Sequence, residues 1–215
     1  STAEELRLAS ENDIEIISVW LWLNAKRDST NNLSPANEEL FRIIDSINLK
    51  TTFWLSFSNN YFKDLNQEKS MEKAIELVDF ICAKAADLDC KVALYNHKGW
   101  FGSPYNQIEL IKALPQWNLK MVYNFHHAHD YINDFTTIAR LIQPYLVAVN
   151  LNGMEKDGAK IHPLGEGNLE RDMISILINE GFNGPWGLLG HVENEDVQIV
   201  LERNLQGLEE LLEHH

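Results

Sequence analysis

The sequence predicts an α/β protein: a (β/α)8 TIM barrel, incomplete, with six strands visible and the first two strand–helix units missing. Three observations carry this. Six short segments rich in β-branched and aromatic residues alternate with stretches of helical periodicity, and strand followed by helix, repeated, means a parallel sheet covered by helices. The strand starts fall roughly 25–40 residues apart, against about 31 per unit in a barrel of about 250 residues. No Gly-rich phosphate loop follows any strand, which disfavours the nucleotide-binding form of the rival, an open doubly wound sheet.

The elements follow in order. The first twelve residues read as a helix through Ala3, Leu6, Leu8 and Ala9. The expected strands are Ile14–Leu23, Thr51–Phe57, Lys91–Tyr95, Lys120–Phe125, Leu146–Leu151 and Trp186–Leu189, mostly continuous apolar runs of the kind covered on both faces. Pro35 opens the helix Ala36–Ile47, a usual place for proline. Ser70–Leu88 carries Ile75, Val78, Ile81 and Cys82 at helical spacing. Pro104–Leu114, Asp134–Ile142, Leu169–Asn179 and Asp196–Leu212 repeat the pattern, and Gly181 and Gly184 punctuate the approach to the last strand. No linker or repeat interrupts the chain, so one TIM-barrel-like domain is expected over residues 1–211. Residues 212–215 read as an expression-tag remnant, and His214 and His215 are set aside on that ground.

Charge and composition exclude some partners. The 215 residues carry 18 Lys+Arg against 32 Asp+Glu, a formal net charge of −14. Nucleic acid and anionic membranes need a basic surface and are disfavoured. No apolar run reaches the ~18 residues of a bilayer span. Cys82 and Cys90 are read as two free thiols, which leans towards a reducing, cytoplasmic setting; a periplasmic one would need a signal sequence ahead of this chain. A barrel without two of its strands has open parallel edges, which favour a homo-oligomer.

Barrels of this class build their sites at the C-terminal ends of the strands. There the sequence places Tyr95-Asn96-His97-Lys98-Gly99-Trp100, Asn124-Phe125-His126-His127-Ala128-His129, Asn150-Leu151-Asn152 and Gly190-His191. All six histidines outside the tag lie at strand ends or in the loops that follow, including His162 ahead of Pro163. His97, His127, His129 and His191 are of the ligand type that takes Zn²⁺ or another borderline divalent metal. The alternative is that they are hydrogen-bonded pocket or capping groups, so no cofactor is assigned. His126 alternates with Asn124 and is expected on the same side if the strand continues. Trp20 and Trp22 share a strand face and read as core packing, whereas Trp100, in a loop beside His97, is the better ligand wall. Glu193–Asp196 reads as a solvated acidic start of the last helix.

From Val92 onward the chain resembles the xylose isomerase-like TIM-barrel superfamily of sugar phosphate isomerases and epimerases, also called endonuclease IV-like. The residues that carry the resemblance are Asn96-His97-Lys98-Gly99, Asn124-x-x-His127, Asn150-Leu151-Asn152, the loop Pro163-Leu164-Gly165-Glu166-Gly167 and the strand Gly187–His191. It implies that Ile14–Leu23 is the third barrel strand. It also implies a divalent cation held by two glutamates, an aspartate and a histidine. Matched position by position, this chain has Tyr95, Asn124, Asn150 and Gly190 there, none of them an anion. Hard cations want carboxylate oxygens, and the same glutamates would be the acid and base of the usual proton transfer.

The expectation is therefore a sugar isomerase- or epimerase-like protein with an altered site. His97, His127 and Glu166 are the catalytic candidates. Tyr95, Asn96, Trp100, Asn124, His129, Asn150, Asn152 and His191 are the candidates for binding a small sugar or sugar derivative. Glu166 could otherwise cap the helix expected near Asn168. Two alternatives stand beside this: a non-catalytic carbohydrate-binding barrel, and a lyase or hydrolase acting on an oxidised sugar through histidine acid–base chemistry. A DNA-repair endonuclease fares worst, since that chemistry wants a cluster of metals with many carboxylates and a basic surface facing DNA.

Overall fold

Side chains alternate along a strand, and in the first strand that alternation separates two environments. The computed structural model of the chain describes residues 2–190 and 194–213. It contains two compact units, residues 1–120 and 121–215. In the first, helix α1 (Thr2–Glu11) precedes β1 (Ser18–Leu23), α2 (Pro35–Ser46), β2 (Thr52–Phe57), α3 (Gln67–Ala86), β3 (Lys91–Tyr95) and α4 (Pro104–Ala113). The three strands are parallel, with Trp20 opposite Trp54 and Trp54 opposite Ala93. Leu21, Leu23, Phe53, Leu55 and Phe57 are buried, as are Ile44 of α2 and Leu77, Val78 and Ile81 of α3. Each such side chain contributes roughly 1.5–3 kcal/mol on leaving water.

The first strand is shorter than its apolar run suggested. Of Ile14–Ile17, two carbonyls are used: that of Ile17 accepts from Thr52 N at 3.3 Å and that of Ile16 from Thr51 Oγ1 at 3.1 Å. Regular pairing begins at Ser18. Helix ends follow local chemistry. Asn66 Oδ1 caps α3 by accepting from Lys69 N at 2.9 Å. Asn48 and Asp89, with φ of +50° and +58°, turn the chain out of α2 and α3 in the left-handed conformation. Cys82 and Cys90 are buried free thiols, in keeping with the expectation, and burial pushes the Cys82 thiol up to about 12.

The second unit runs β4 (Lys120–Asn124), α5 (Phe135–Ile142), β5 (Leu146–Leu151), α6 (Glu170–Asn179), β6 (Trp186–Leu188) and α7 (Val197–Leu212). Its strands are parallel, and their register puts Asn124 opposite Asn150 and Asn150 opposite Gly187. Phe135, Ile138, Ala139 and Ile142 are the buried stripe of α5. Helix α7 is capped by Asp196, which accepts from Gln198 N at 2.9 Å. Its buried face is Val200, Asn204, Gly207 and Leu211. Gly207 stands mid-helix, where glycine costs about 1 kcal/mol relative to alanine. A β-carbon there would lie 1.8 Å from the Leu164 carbonyl oxygen, so the glycine is what lets the helix close on that loop. Among the described residues no helix is long and apolar enough to cross a membrane.

Candidate functional site

Within residues 1–120, aromatic rings gather along one side of the strands: Trp20 and Trp22 on β1, Trp54 on β2 and Tyr95 at the end of β3. Tyr95 and Asn96 are buried and His97 is half-buried. The His97 ring stands 4.6 Å from Trp22, edge-on at 88°, and 6.2 Å from Trp20. Tyr95 stacks on Trp54 at 5.9 Å and 23°. Burial, with Lys98 beside it, holds the His97 imidazole below its ordinary pKa of 6.5.

One expectation fails here. Trp20 is not core: it is 55% exposed, because the core side of β1 belongs to Leu21 and Leu23. Trp22 shares its face and is half-buried. Trp100 donates from Nε1 to Gln67 Oε1 at 2.6 Å, with its ring 4.8 Å from Phe62.

The loop after β1 is organised by Asp28, a buried carboxylate that accepts from Asn24 N and Ser34 N, both at 2.7 Å, and from Asn37 Nδ2 at 2.9 Å. Burial opposes its ionisation, but these hydrogen bonds outweigh it and hold the carboxyl below its ordinary pKa of 3.8. Tyr61 donates its hydroxyl to the Asp28 carbonyl, and burial, aided by the Asp28 charge, pushes that phenol up to about 12.

Within residues 121–215, three amides sit at the strand ends. Asn124, Asn150 and Asn152 are all buried. Asn124 Oδ1 accepts from His126 N at 2.9 Å, and that bond turns the chain out of the strand into a 3-10 helix over Phe125–His127. The strand therefore does not continue, and the in-and-out alternation expected for His126 does not apply. The His126 and His127 rings lie 4.4 Å apart. Burial, with Lys160 nearby, lowers the His129 pKa despite Asp130. Asn152 Nδ2 donates to the carbonyls of Gly153 at 2.8 Å and Lys160 at 2.9 Å, while its Oδ1 is buried with no donor among the described residues. His162 Nε2 stands 3.8 Å from Glu155 Oε1. Gly190 is exposed. His191 and Glu193 lie outside the described residues. Among the described residues, no three His, Cys, Asp or Glu side chains gather to hold a metal ion.

The loop carrying Glu166 is built by a residue the sequence reading did not single out. Glu166 is exposed, and the helix after it begins at Glu170. Glu170, itself buried, accepts from four backbone N–H groups: Gly167 at 2.8 Å, Gly165 at 3.2 Å, and Met154 and Leu169 at 3.3 Å. Asn204 of α7 adds an acceptor for Leu164 N at 2.9 Å. The available signal was a lone acid just past two glycines, which reads equally well as a solvated helix start.

The sequence profile of the xylose isomerase-like TIM barrel matches residues 9–212. The chain belongs to the xylose isomerase-like TIM-barrel family. No curated protein sequence matches it. Solved structures share the fold. A xylose isomerase domain-containing protein from Salmonella typhimurium LT2 is 17% identical, with a TM-score of 0.68 over 98% of this chain and 80% of that one. An L-ribulose 3-epimerase is 11% identical, with a TM-score of 0.74 over 100% and 80%. The 3-keto-D-glucoside 4-epimerase of E. coli is 11% identical, with a TM-score of 0.68 over 97% and 83%. Six parallel strands of the family barrel are present, as the sequence predicted. Tyr95, Asn124 and Asn150, a phenol and two amides, stand at the ends of their strands, and Asn124 Oδ1 already accepts from a backbone N–H.

Proposed function

We propose that the protein binds a sugar or sugar derivative at the C-terminal ends of its strands, as an isomerase- or epimerase-like family member that has replaced the carboxylate-held hard cation with neutral groups. The observation that carries this reading is the strand-end trio Asn124, Asn150 and Asn152, buried amides on adjacent parallel strands. An amide is both donor and acceptor and suits a hydroxyl, whereas Mg²⁺ or Mn²⁺ prefers carboxylate oxygens. The unpaired Asn152 Oδ1 supports it, since a buried acceptor calls for a donor such as a substrate hydroxyl. Family members of similar fold act on keto-sugars and glycosides by the names they carry.

A second reading, histidine acid–base chemistry on an oxidised sugar, draws on the close pair His126–His127 and on the lowered pKa of His129. A neutral imidazole is a competent base near pH 7. Elemental analysis of the purified protein and titration with a panel of ketoses and glycosides test the first reading. We expect no stoichiometric Mg²⁺ or Mn²⁺, and a sugar whose affinity falls roughly 5–150-fold in Asn150→Ala, as loss of a buried hydrogen-bond partner implies. Turnover of an oxidised sugar that disappears in His127→Ala would favour the second.

A further inference from the structure

Within residues 1–120, β1 is an edge strand, and it lacks the usual protection of an edge. It pairs with β2 alone among the described strands. The carbonyls of Ile17 and Leu23 accept from Thr52 N and, just past β2, Ser58 N. Backbone groups alternate along a strand, so the odd-numbered residues face β2, while Ser18, Trp20 and Trp22 turn their N–H and C=O groups to the open side. The chain caps one end of that side itself. The Trp22 carbonyl accepts from Asn37 Nδ2 at 2.9 Å, and Asn24 N donates to Asp28 Oδ2 at 2.7 Å. Among the described residues no such cap reaches the backbone of Ser18 or Trp20. Edges are ordinarily kept apart by charge, proline, a bulge or extreme shortness. β6, which pairs with β5 alone, is three residues long. β1 has six residues, no charge and no proline, and its register against β2 runs unbroken. Trp20 is 55% exposed, and Ile14 and Ile17, just ahead of the strand, are 61% and 46% exposed.

Charge identifies what lies against this edge. The chain enters β1 from Asp13 and Glu15 and leaves it into Lys26 and Arg27; all four are exposed, and none is in an ion pair among the described residues. The other charges near the entry are matched in place, Arg7 with Glu11 at 2.6 Å and Lys50 with Asp89 at 4.0 Å, and Lys91 opens β3, two strands away. At the exit, Asp28 is buried and holds three donors of its own loop, while the loops after β2 and β3 add Lys63, Asp64 and Lys98 farther from the edge. The edge is therefore acidic where it begins and basic where it ends. A second copy set parallel would put like charge on like. A second copy set antiparallel puts its acidic end on this basic end and the reverse, and two-fold symmetry makes both matches at once.

We infer that β1 is the pairing edge of a homodimer, in which Ser18 and Trp20 of one copy exchange N–H and C=O groups with Trp20 and Ser18 of a second, antiparallel copy. Val19 then sits at the two-fold axis, and each outward backbone group of Ser18 and Trp20 gains a partner. The exposed apolar surface of Ile14, Ile17 and Trp20 lies along the same seam. Asp13 and Glu15 against Lys26 and Arg27 select the orientation, since exposed ion pairs contribute little strength and more to the choice of partner. The inference makes no use of sugar binding and stands or falls apart from it.

The test is sedimentation velocity of the full chain over a concentration series at low salt, repeated for Ser18→Pro, for Lys26→Glu with Arg27→Glu, for Asp13→Lys with Glu15→Lys, and for an equimolar mixture of the two charge variants. The parent mass should climb from 24.7 kDa towards about twice that value with concentration. Ser18→Pro removes an outward N–H from each copy and none that faces β2, and proline is tolerated as the first residue of a strand, so its melting temperature should stay near the parent's. Its dissociation constant should rise roughly 5–150-fold, as expected for two lost hydrogen bonds. Each charge variant repels itself at both ends and should dissociate roughly tenfold more readily, whereas their mixture should recover the parent's strength. The exposed charge variants decide the matter should Ser18→Pro fail to fold. A monomer throughout the series overturns the inference. So does a dimer indifferent to these substitutions, or a mixture that associates no better than its components.

Discussion

Asn150 and Gly187 stand opposite each other in β5 and β6, and a β-carbon on Gly187 would lie 2.2 Å from Asn150 Oδ1. No real contact is that short, so the absence of a side chain at 187 is what gives the Asn150 amide its place. The pair ties the chemistry of one strand to the bareness of the next.

Gly187→Ala should therefore act as a displacement of Asn150. Forcing a methyl into a packed site costs about 1–3 kcal/mol. A thermal melt should show that loss, and any sugar that binds wild type should lose affinity to a degree similar to Asn150→Ala. An unchanged melt and unchanged affinity would mean that the Asn150 side chain relocates without consequence.

Glu170 gathers the backbone from Met154 to Leu169 on one carboxylate. Glu170→Ala orphans four N–H groups, only some of which water can reach, and should cost on the order of 2–4 kcal/mol. Glu170→Gln keeps an acceptor of the same shape and should lose less. Chemical denaturation of the two variants gives the comparison, and equal losses would show that the charge, not the oxygen's position, holds the loop.

Asp28 should make stability depend on acid. Its carboxyl is held below the ordinary 3.8, so the folded state gives up this proton more readily than the unfolded chain. The stabilisation is complete above that ordinary value and is lost as pH falls through the lower folded value. Melting temperatures of wild type and Asp28→Asn should be well separated at pH 7 and converge as the solution is acidified. Parallel curves down to pH 2 would place the effect elsewhere.

His97 titrates in a different window with the same sign. Its folded pKa lies below 6.5, so between that value and its lower folded pKa the unfolded state binds more protons and wild type loses stability as pH falls. Above pH 6.5 both states are neutral and the term vanishes. Wild type should fall relative to His97→Gln as pH drops from 7 to 5, which differential scanning across that range will show.

Much of the fold could be read in advance. Lys91–Tyr95 and Leu146–Leu151 form over the expected residues, because continuous apolar runs bounded by polar turns leave little choice of register or length. Ile14–Ile17 has the composition of a strand and is not one, since strand identity needs a partner's N–H and C=O groups as well as β-branched side chains. The asparagines of the candidate site were legible as polar residues at strand ends. Glu170 was not, because one acid near a helix start looks the same whether it is solvated or collects four backbone donors.

The sequence by itself determined the order of strands and helices, the two free thiols, and the uncharged polar character of the strand-end residues Asn124, Asn150 and Asn152, because these depend on local periodicity and on residue chemistry. Only the tertiary structure decided that Trp20 faces outward from the core, that the chain leaves β4 at Asn124, that Glu170 rather than Glu166 organises the loop, and that Gly187 makes room for Asn150. The reason is physical. Which face of a strand is buried, and which backbone groups a side chain reaches, follow from register and from the packing of distant segments, and neither is a property of a residue's sequence neighbours.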